Sequence, residues 1–271
     1  MSKATITFVG GGNMANSIIG GLVAQAYDPK KIIACDPLET NLTALSNSYG
    51  INTSTDNATS VAKAQVVVLA VKPQIMKIVC EQIRENIEHK PLIISIAAGI
   101  SIAKFTDWLN ADLPIIRCMP NTPALVQAGA TGIFANSLTS EEQKLQAEDI
   151  LKAIGIIEWL DEERLIDAVT ALSGSGPAYF FLLMEAMIEA GIDQGLSPTI
   201  ANNLAIQTCL GAGLLAQSSD VDVAELRKRV SSPGGTTLKA LESFQEDGLT
   251  ASVKKAMAAA ANRAATLAEE F

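Results

Sequence analysis

The sequence predicts an α/β protein: an N-terminal doubly wound parallel sheet over residues 1–160, then an all-helical domain over residues 161–271. In the first half, short apolar runs rich in Val and Ile alternate with helical patterns. This pattern is expected for parallel strands covered by helices on both faces. After about residue 161 no strand-like run follows. The length of 271 residues agrees with about two domains.

Five strong strand patterns and two weaker ones give the order of the predicted sheet. The strong ones are residues 5–9, 31–34, 66–70, 92–95 and 115–117, and the weaker ones are 132–134 and 156–159. Pro73, Pro91 and Pro120 act as stop signals between these elements. The segment Thr139-Ser140-Glu141-Glu142 predicts a capping box that opens the helix before the last strand.

The second half predicts four helices. One follows Pro177 towards Ala190, one opens at Ser197-Pro198, one begins near Thr236, and the last covers residues 249–270. Residues 204–215 contain no charged side chain, and a helix without a polar face needs burial on more than one side. We therefore expect a homo-oligomer that packs through this half. An internal helix of one large monomer is the alternative.

Charge argues against nucleic acid as a partner. The formal net charge is −9 and the calculated pI is about 4.7, whereas a protein that reads the phosphate backbone needs a basic face. The one close basic cluster is residues 227–229. We expect no nucleic-acid partner.

The cysteines and the single histidine indicate an intracellular protein without a metal site. Cys35, Cys80, Cys118 and Cys209 are scattered, which suits reduced, buried thiols better than disulfides or a zinc site. His89 precedes the fourth strand, at the end of the sheet opposite to a ligand site, and we interpret it as a surface residue. The N-terminus has no signal-peptide pattern, and no uninterrupted apolar run reaches the ~18 residues of a membrane span. These features predict a cytoplasmic protein with no membrane partner.

A glycine-rich turn follows the first strand and is the sharpest local signal. Gly10, Gly12 and Ala15 occupy the three positions of the G-x-G-x-x-[GA] motif, directly before a helix. The glycines allow a tight turn and close backbone approach, and the helix N-terminus offers free N–H groups to a diphosphate. The pattern predicts a Rossmann-type dinucleotide-binding domain. An ordinary glycine turn is the alternative.

Asp36 ends the second strand, where an acidic residue typically binds the ribose hydroxyls of the dinucleotide. A carboxylate at this position favours the 2′-hydroxyl of NAD and should repel the 2′-phosphate of NADP. Compensation by Lys31 or Lys72 stays open. The sequence therefore predicts NADPH or NADH as the cofactor, with a preference for NADH.

Three further segments follow predicted strands, at the edge where doubly wound sheets bind ligands. They are residues 70–73 (Ala-Val-Lys-Pro), 95–99 (Ser-Ile-Ala-Ala-Gly) and 119–123 (Met-Pro-Asn-Thr-Pro). Lys72 is a candidate for a phosphate or ribose contact, or an exposed lysine at a strand end. Asn121 is held between two prolines, which suits substrate positioning or a plain turn.

The helical half contains two segments of small and hydroxyl residues. Residues 172–177 (Leu-Ser-Gly-Ser-Gly-Pro) open the long apolar helix, and residues 230–237 (Val-Ser-Ser-Pro-Gly-Gly-Thr-Thr) precede a later one. The second segment has the features of an anion nest at a helix N-terminus, which is suited to a substrate carboxylate. By composition alone, an ordinary interhelical turn is the favoured explanation.

Taken together, these motifs resemble those of the pyrroline-5-carboxylate reductases. The resemblance extends from Phe8 to the C-terminal helix. It rests on Gly-x-Gly-Asn-Met after the first strand, on residues 70–73, 119–123 and 173–179, and most specifically on Ser-Ser-Pro-Gly-Gly-x-Thr at 231–237. It implies reduction of 1-pyrroline-5-carboxylate to L-proline by NADPH or NADH, the last step of proline biosynthesis. It also implies a homodimer or a higher ring.

The resemblance also implies roles for individual residues. Ser232, Gly234 and Gly235 are expected to hold the substrate carboxylate, and Thr237, the expected catalytic residue, to hydrogen-bond the ring nitrogen. Asn121 and Ser175 complete the expected substrate-binding set. The expected cofactor contacts are Gly10, Gly12, Asn13, Met14, Asp36, Asn57, Ala70, Val71, Lys72, Pro73, Ala97 and Ala98. Ala15 replaces a frequent glycine, and Asp36 stands where relatives that use NADPH often carry a small or hydroxyl residue.

Two other functions remain as alternatives. A β-hydroxyacid dehydrogenase would share the fold class, but neither Lys228 nor Lys239 lies in the glycine-x-x-x-lysine setting of that class. A dinucleotide-binding sensor without catalysis is the second alternative, and Ser232 and Thr237 argue against it.

Overall fold

The computed structural model describes residues 4–270 and divides the chain into two compact units. The first unit extends to Ser175 and includes the chain again from Ala260, and the second unit is Gly176–Ala259. The first unit continues beyond the predicted boundary at residue 160, because the helix that follows the last strand packs on the sheet. The predicted division of function between residues 1–160 and 161–271 stays a prediction.

Within the described residues, the first unit is built on an eight-stranded sheet. Its strands are β1 Ile6–Val9, β2 Ile32–Cys35, β3 Asn52–Ser54, β4 Val66–Leu69, β5 Leu92–Ser95, β6 Ile115–Met119, β7 Gly129–Ala135 and β8 Gly155–Trp159. The spatial order is β3-β2-β1-β4-β5-β6-β7-β8. Ile6 of β1 lies opposite Ile32 on one side and Val66 on the other. This central order is that of a Rossmann-type sheet, as the sequence predicts.

The sheet is parallel except at β6 and β7, which are antiparallel. The sequence predicts a parallel sheet, and among the described strands this pair is the exception. A parallel connection needs a crossover of about a dozen residues or more. Residues 120–128 form only a short turn containing the 3₁₀ segment Thr122–Val126. The chain therefore returns directly alongside the strand that it has just left.

Helices cover both faces of the sheet, and their apolar sides form two core clusters. They are α1 Asn13–Ala24, α2 Glu39–Tyr49, α3 Asn57–Val61, α4 Pro73–Ile83, α5 Ile102–Leu109, α6 Glu141–Leu151 and α7 Leu165–Val169. Ile18 of α1 and Leu151 of α6 belong to one cluster, and Met76 of α4 and Phe105 of α5 belong to the other. All four side chains are fully buried.

The predicted capping box is present at the start of α6. It is formed by Ser140 and Gln143, one residue later than the pair Thr139 and Glu142. Ser140 Oγ accepts a hydrogen bond from the Gln143 N–H at 3.2 Å, and the Ser140 N–H donates to Gln143 Oε1 at 3.0 Å. Thr139 instead donates to Asn136 Oδ1 at 2.8 Å. The helix start is therefore fixed by a reciprocal pair of hydrogen bonds.

The remaining helices are α8 Gly176–Asp193, α9 Pro198–Gln217, α10 Val223–Arg229, α11 Thr236–Glu246 and α12 Leu249–Glu270, the last of which continues into the first unit. The helix α10 is absent from the sequence-based prediction. Asp222 caps its N-terminus, because the Asp222 side chain accepts the Glu225 N–H at 2.8 Å. Its seven residues are too few to show a clear apolar period.

The long helices α8 and α9 pack on each other but keep large apolar side chains exposed. Phe180 and Phe181 of α8 are each 58% exposed, and Leu204 and Leu214 of α9 are each 55% exposed. By length and composition, the 29-residue helical run Leu165–Asp193 is apolar enough to cross a membrane. Exposed apolar surface on this scale is typical of an interaction surface.

The cysteines are free thiols, as the sequence predicts. Cys35, Cys80 and Cys118 are buried, and Cys209 is half-buried. Burial raises the pKa of the Cys80 thiol to about 12 and also raises the pKa of Cys118. These thiols are therefore inert packing residues. His89 is exposed, as predicted, with its Nε2 atom 2.8 Å from the Ala64 carbonyl oxygen.

Candidate functional site

The glycine turn after β1 brings the backbone against the end of β4. Gly10 has φ +106°, and a Cβ atom at this position would lie 2.6 Å from the Ala70 carbonyl oxygen. Its N–H donates to the Cys35 carbonyl oxygen at 2.8 Å, which ties the turn to the end of β2. Both the backbone angle and the close approach require glycine here.

Gly12 has a different setting, because it faces open space. Among the described residues, no atom outside its chain neighbours lies within 4 Å of the point that a Cβ atom would take, and its φ of −75° is accessible to any residue. Gly12 precedes α1, whose N-terminus has neither a side-chain cap nor an acidic residue in its first turn in this part of the chain. The exposed Asn13 and half-buried Met14 begin the helix. Helix N–H groups without an intrahelical partner, next to open space, fit a diphosphate.

Asp36 joins two turns at this edge of the sheet. Its Oδ2 atom accepts the Gly11 N–H at 2.8 Å, and its Oδ1 atom accepts the Leu38 N–H at 2.9 Å. The residue is 9% exposed. The sequence predicts a ribose contact for Asp36 but does not reveal this second use of its carboxylate. Each oxygen keeps a further lone pair for a hydroxyl group.

The other predicted cofactor residues lie at the carboxyl ends of strands or at helix starts. Lys72 is exposed and precedes α4, which begins at Pro73. Asn57 begins α3 after Asp56, whose pKa is lowered mainly by a hydrogen bond from the Thr59 hydroxyl. The remaining members of the set are Ala70, Val71, Ala97 and Ala98.

The order of the strands brings several of these residues to one edge. Because β1, β4 and β5 are adjacent, the residues that follow them (Gly10, Ala70 and Ala97) line a continuous edge of the sheet. The Ala97 N–H donates to Ser95 Oγ at 3.3 Å, and the Ile96 N–H donates to the Leu69 carbonyl oxygen at 3.2 Å. This edge is where open α/β sheets bind ligands.

Asn121 is 9% exposed and uses both ends of its side-chain amide within the protein. Its Oδ1 atom accepts the Ala130 N–H at 2.9 Å, and its Nδ2 atom donates to the Ser173 carbonyl oxygen at 3.0 Å. Ser175, the other predicted substrate residue of the first unit, is half-buried. Asn121 therefore links the start of β7 to the turn that contains Ser173.

The second unit contains the serine- and glycine-rich segment before α11. Gly234 has φ +71°, and the Gly235 N–H donates to the Ser232 carbonyl oxygen at 3.0 Å, which closes the turn. The N-terminus of α11 has no side-chain cap and no acidic residue in its first turn among the described residues. Ser232 and Thr237 are exposed. Free N–H groups and two hydroxyls at a helix N-terminus suit a carboxylate.

A buried ion-pair network, absent from the sequence-based prediction, connects β6 to α7 and the turn before it. Arg117 of β6 is buried, and its Nη1 atom lies 3.0 Å from Glu163 Oε1, which also accepts the Ile102 N–H at 2.8 Å. Asp167 Oδ1 lies 3.8 Å from Arg117 Nη2. One signal was available: Arg117 is a lone charge in an apolar strand, and such a charge needs partners when it is buried.

Two family models match the chain. The model described as pyrroline-5-carboxylate reductase dimerisation matches residues 163–267. The model described as NADP oxidoreductase coenzyme F420-dependent matches residues 5–99.

Full-length relatives and solved structures agree with these matches. A pyrroline-5-carboxylate reductase from Pseudomonas aeruginosa is 51% identical over 271 residues, covering 100% of this chain and 99% of the relative. One from Vibrio alginolyticus is 40% identical and covers 100% of both chains. The structure of a pyrroline-5-carboxylate reductase from Coxiella burnetii has a TM-score of 0.95 at 43% identity, covering 98% of this chain and 99% of that one. The Plasmodium falciparum pyrroline carboxylate reductase with NADP bound has a TM-score of 0.86 at 30% identity, covering 99% of each.

Proposed function

The chain belongs to the pyrroline-5-carboxylate reductase family, and we propose from this premise that it reduces 1-pyrroline-5-carboxylate to L-proline. The observation that carries the proposal is similarity to these reductases over the full length of the chain, including both the glycine turn and the segment before α11. The reaction adds a hydride to the carbon of a C=N bond and a proton to its nitrogen. It is the last step of proline biosynthesis.

The first unit would hold the nicotinamide cofactor. The N-terminus of α1 and the open space at Gly12 fit its diphosphate, and Asp36 would bind a ribose hydroxyl. The remaining contacts would come from Asn13, Met14, Asn57, Lys72 and the residues that follow β4 and β5. When bound in its reduced form, the cofactor supplies the hydride. The role of the protein is to orient it and exclude water.

The second unit would hold the substrate. Ser232, Gly234 and Gly235 form a turn that can bind the carboxylate through backbone N–H groups and a hydroxyl. Thr237 would hydrogen-bond the ring nitrogen and hold or relay a proton there. A cyclic imine is readily protonated near neutral pH, so a hydroxyl group is sufficient and no histidine base is needed. Ser175 is proposed as a further substrate contact.

The exposed apolar helices are best explained by self-association. A dimerisation-domain match covers α8 to α11, where the large apolar side chains are exposed. We propose a homodimer, or a higher ring built from dimers, that buries this surface. Three buried free thiols fit a reducing compartment, and we propose a cytoplasmic location.

The function is tested by the initial rates of NADH and NADPH oxidation with racemic 1-pyrroline-5-carboxylate at saturating concentration. We expect oxidation of at least one cofactor, with proline as the product. Binding of both dinucleotides without oxidation would contradict a reductase of this substrate. It would instead favour another imine or the sensor function.

Asp36 is expected to set the choice of cofactor. In the Asp36→Ser variant, the activity with NADPH should rise relative to NADH by about tenfold, because a negative charge beside the 2′-phosphate is removed. The measurement is the ratio of kcat/KM for the two cofactors. An unchanged ratio would show that Asp36 does not face the ribose and serves only to join the Gly11 and Leu38 turns.

A further inference from the structure

The first unit ends in a turn of unusual hydrogen bonding. Residues Thr170–Gly174 are π-helical, and the Ser175 N–H donates to the Thr170 carbonyl oxygen at 2.8 Å, five residues back. Single π-turns are less favourable than α-helix and are often found at functional sites. The turn therefore needs support from outside its own backbone, and it determines where Ser175 lies.

Asn121 supplies that support from the end of β6. Its Nδ2 atom donates to the Ser173 carbonyl oxygen at 3.0 Å, and its Oδ1 atom is fixed by the Ala130 N–H at 2.9 Å. Met119, two residues earlier, is in contact with the same turn, because a Cβ atom on Gly174 would lie 2.8 Å from its Cε atom. The turn is thus held against the carboxyl edge of the sheet by one amide and one apolar contact.

We propose that Asn121 is a positioning residue for Ser175 rather than a direct ligand of the substrate. The expected effect of Asn121 on substrate binding rests on the proposed function. Its expected effect on the stability of the turn at residues 170–174 does not. The Asn121 amide carries a donor and an acceptor on one rigid planar group, and each is bonded to a different segment of the backbone. Both ends of this buried amide are bonded within the protein. The amide therefore acts as a brace, meaning that its two hydrogen bonds fix the turn that positions Ser175, the last residue before the second unit.

The test uses the full-length Asn121→Asp variant, which keeps an acceptor for the Ala130 N–H and loses the donor to Ser173. The matched control is Thr131→Val. Thr131 lies in β7 beside Ala130 and is 3% exposed, and its hydroxyl has no hydrogen-bond partner among the described residues. Removing that hydroxyl therefore alters a buried side chain of this region without removing a brace. Asn121→Ala, which introduces no buried charge, is the second variant should Asn121→Asp fail to fold.

Hydrogen exchange of the cofactor-free protein gives the structural readout. We expect the peptide covering residues 170–176 to exchange about tenfold faster in Asn121→Asp, because an amide in an unbraced turn opens more often. The same peptide should be unchanged in Thr131→Val. Unchanged exchange in Asn121→Asp would overturn the proposal, whether or not the protein reduces an imine.

Steady-state kinetics give the functional readout. The KM for 1-pyrroline-5-carboxylate should rise about tenfold in Asn121→Asp, with kcat and the cofactor Kd changed far less, because a displaced Ser175 weakens substrate binding. A rise in KM without faster exchange at residues 170–176 would make Asn121 a direct ligand and overturn the brace. Faster exchange in an enzyme inactive towards this substrate would refute the proposed function and leave the brace intact.

Discussion

Replacing Thr237 by alanine is expected to lower kcat by about a hundredfold, because the variant lacks the one hydroxyl proposed to act at the imine nitrogen. Thr237 is exposed in the first turn of α11, so its side chain contributes little to packing. The Kd of the cofactor should stay nearly unchanged, since the proposed cofactor residues belong to the first unit. The measurements are kcat by steady-state kinetics and cofactor Kd by fluorescence titration.

Thr236 offers a matched control for this experiment. It is also an exposed threonine in the same turn of α11, so Thr236→Ala makes the same chemical change one residue away. We expect Thr236→Ala to retain most of the activity and Thr237→Ser to retain more than Thr237→Ala. Equal losses in the two alanine variants would assign the effect to the helix start. If Thr237→Ala weakened cofactor binding as much as it lowered kcat, the result would contradict a specific role of Thr237 at the imine nitrogen.

The arrangement of the sheet was predictable wherever strands are apolar on both faces. β1, β4 and β5 are short runs dominated by Val, Ile and Leu in which every side chain is buried. The edge strand β3 was not predicted, because Asn52, Thr53 and Ser54 are polar and mostly exposed. A strand that buries no apolar face leaves no hydrophobic signal in the sequence.

The candidate site shows the same limit at the level of single side chains. Residue type and position relative to strands made Asp36 and Asn121 candidates for the site. Their partners were not predictable, because the Gly11 N–H and the Ser173 carbonyl oxygen come within reach only after the sheet has formed. Backbone groups are the same at almost every residue, so a sequence does not indicate which of them a buried side chain will bind.

The glycine turn combines two physical requirements that the motif does not distinguish. Gly10 is required by the fold, because its φ of +106° and the Ala70 carbonyl oxygen exclude a side chain. Gly12 is not required by the fold, because its φ is ordinary and its Cβ direction is open. If the turn binds a dinucleotide, then the space beside Gly12 is the space that the cofactor needs.

Gly12→Ala is therefore expected to weaken cofactor binding by about tenfold to a hundredfold, since a methyl group would occupy the path of the diphosphate. Its free energy of unfolding should fall by only about 1 kcal/mol or less, the usual cost of alanine at a helix N-cap. Isothermal titration with NADPH and NADH measures the first quantity, and urea denaturation measures the second.

Gly10→Ala should behave differently and serves as the comparison. A Cβ atom 2.6 Å from the Ala70 carbonyl oxygen has to displace backbone, so the free energy of unfolding should fall by about 3 kcal/mol, with binding lost as well. The comparison separates the structural role of Gly10 from the cofactor-binding role of Gly12. We expect marked destabilisation together with the loss of binding only in Gly10→Ala. Normal cofactor affinity in Gly12→Ala would contradict the assignment of the turn as the diphosphate site. Gly12 is the N-cap of α1, so an anion bound at that N-terminus would lie next to it.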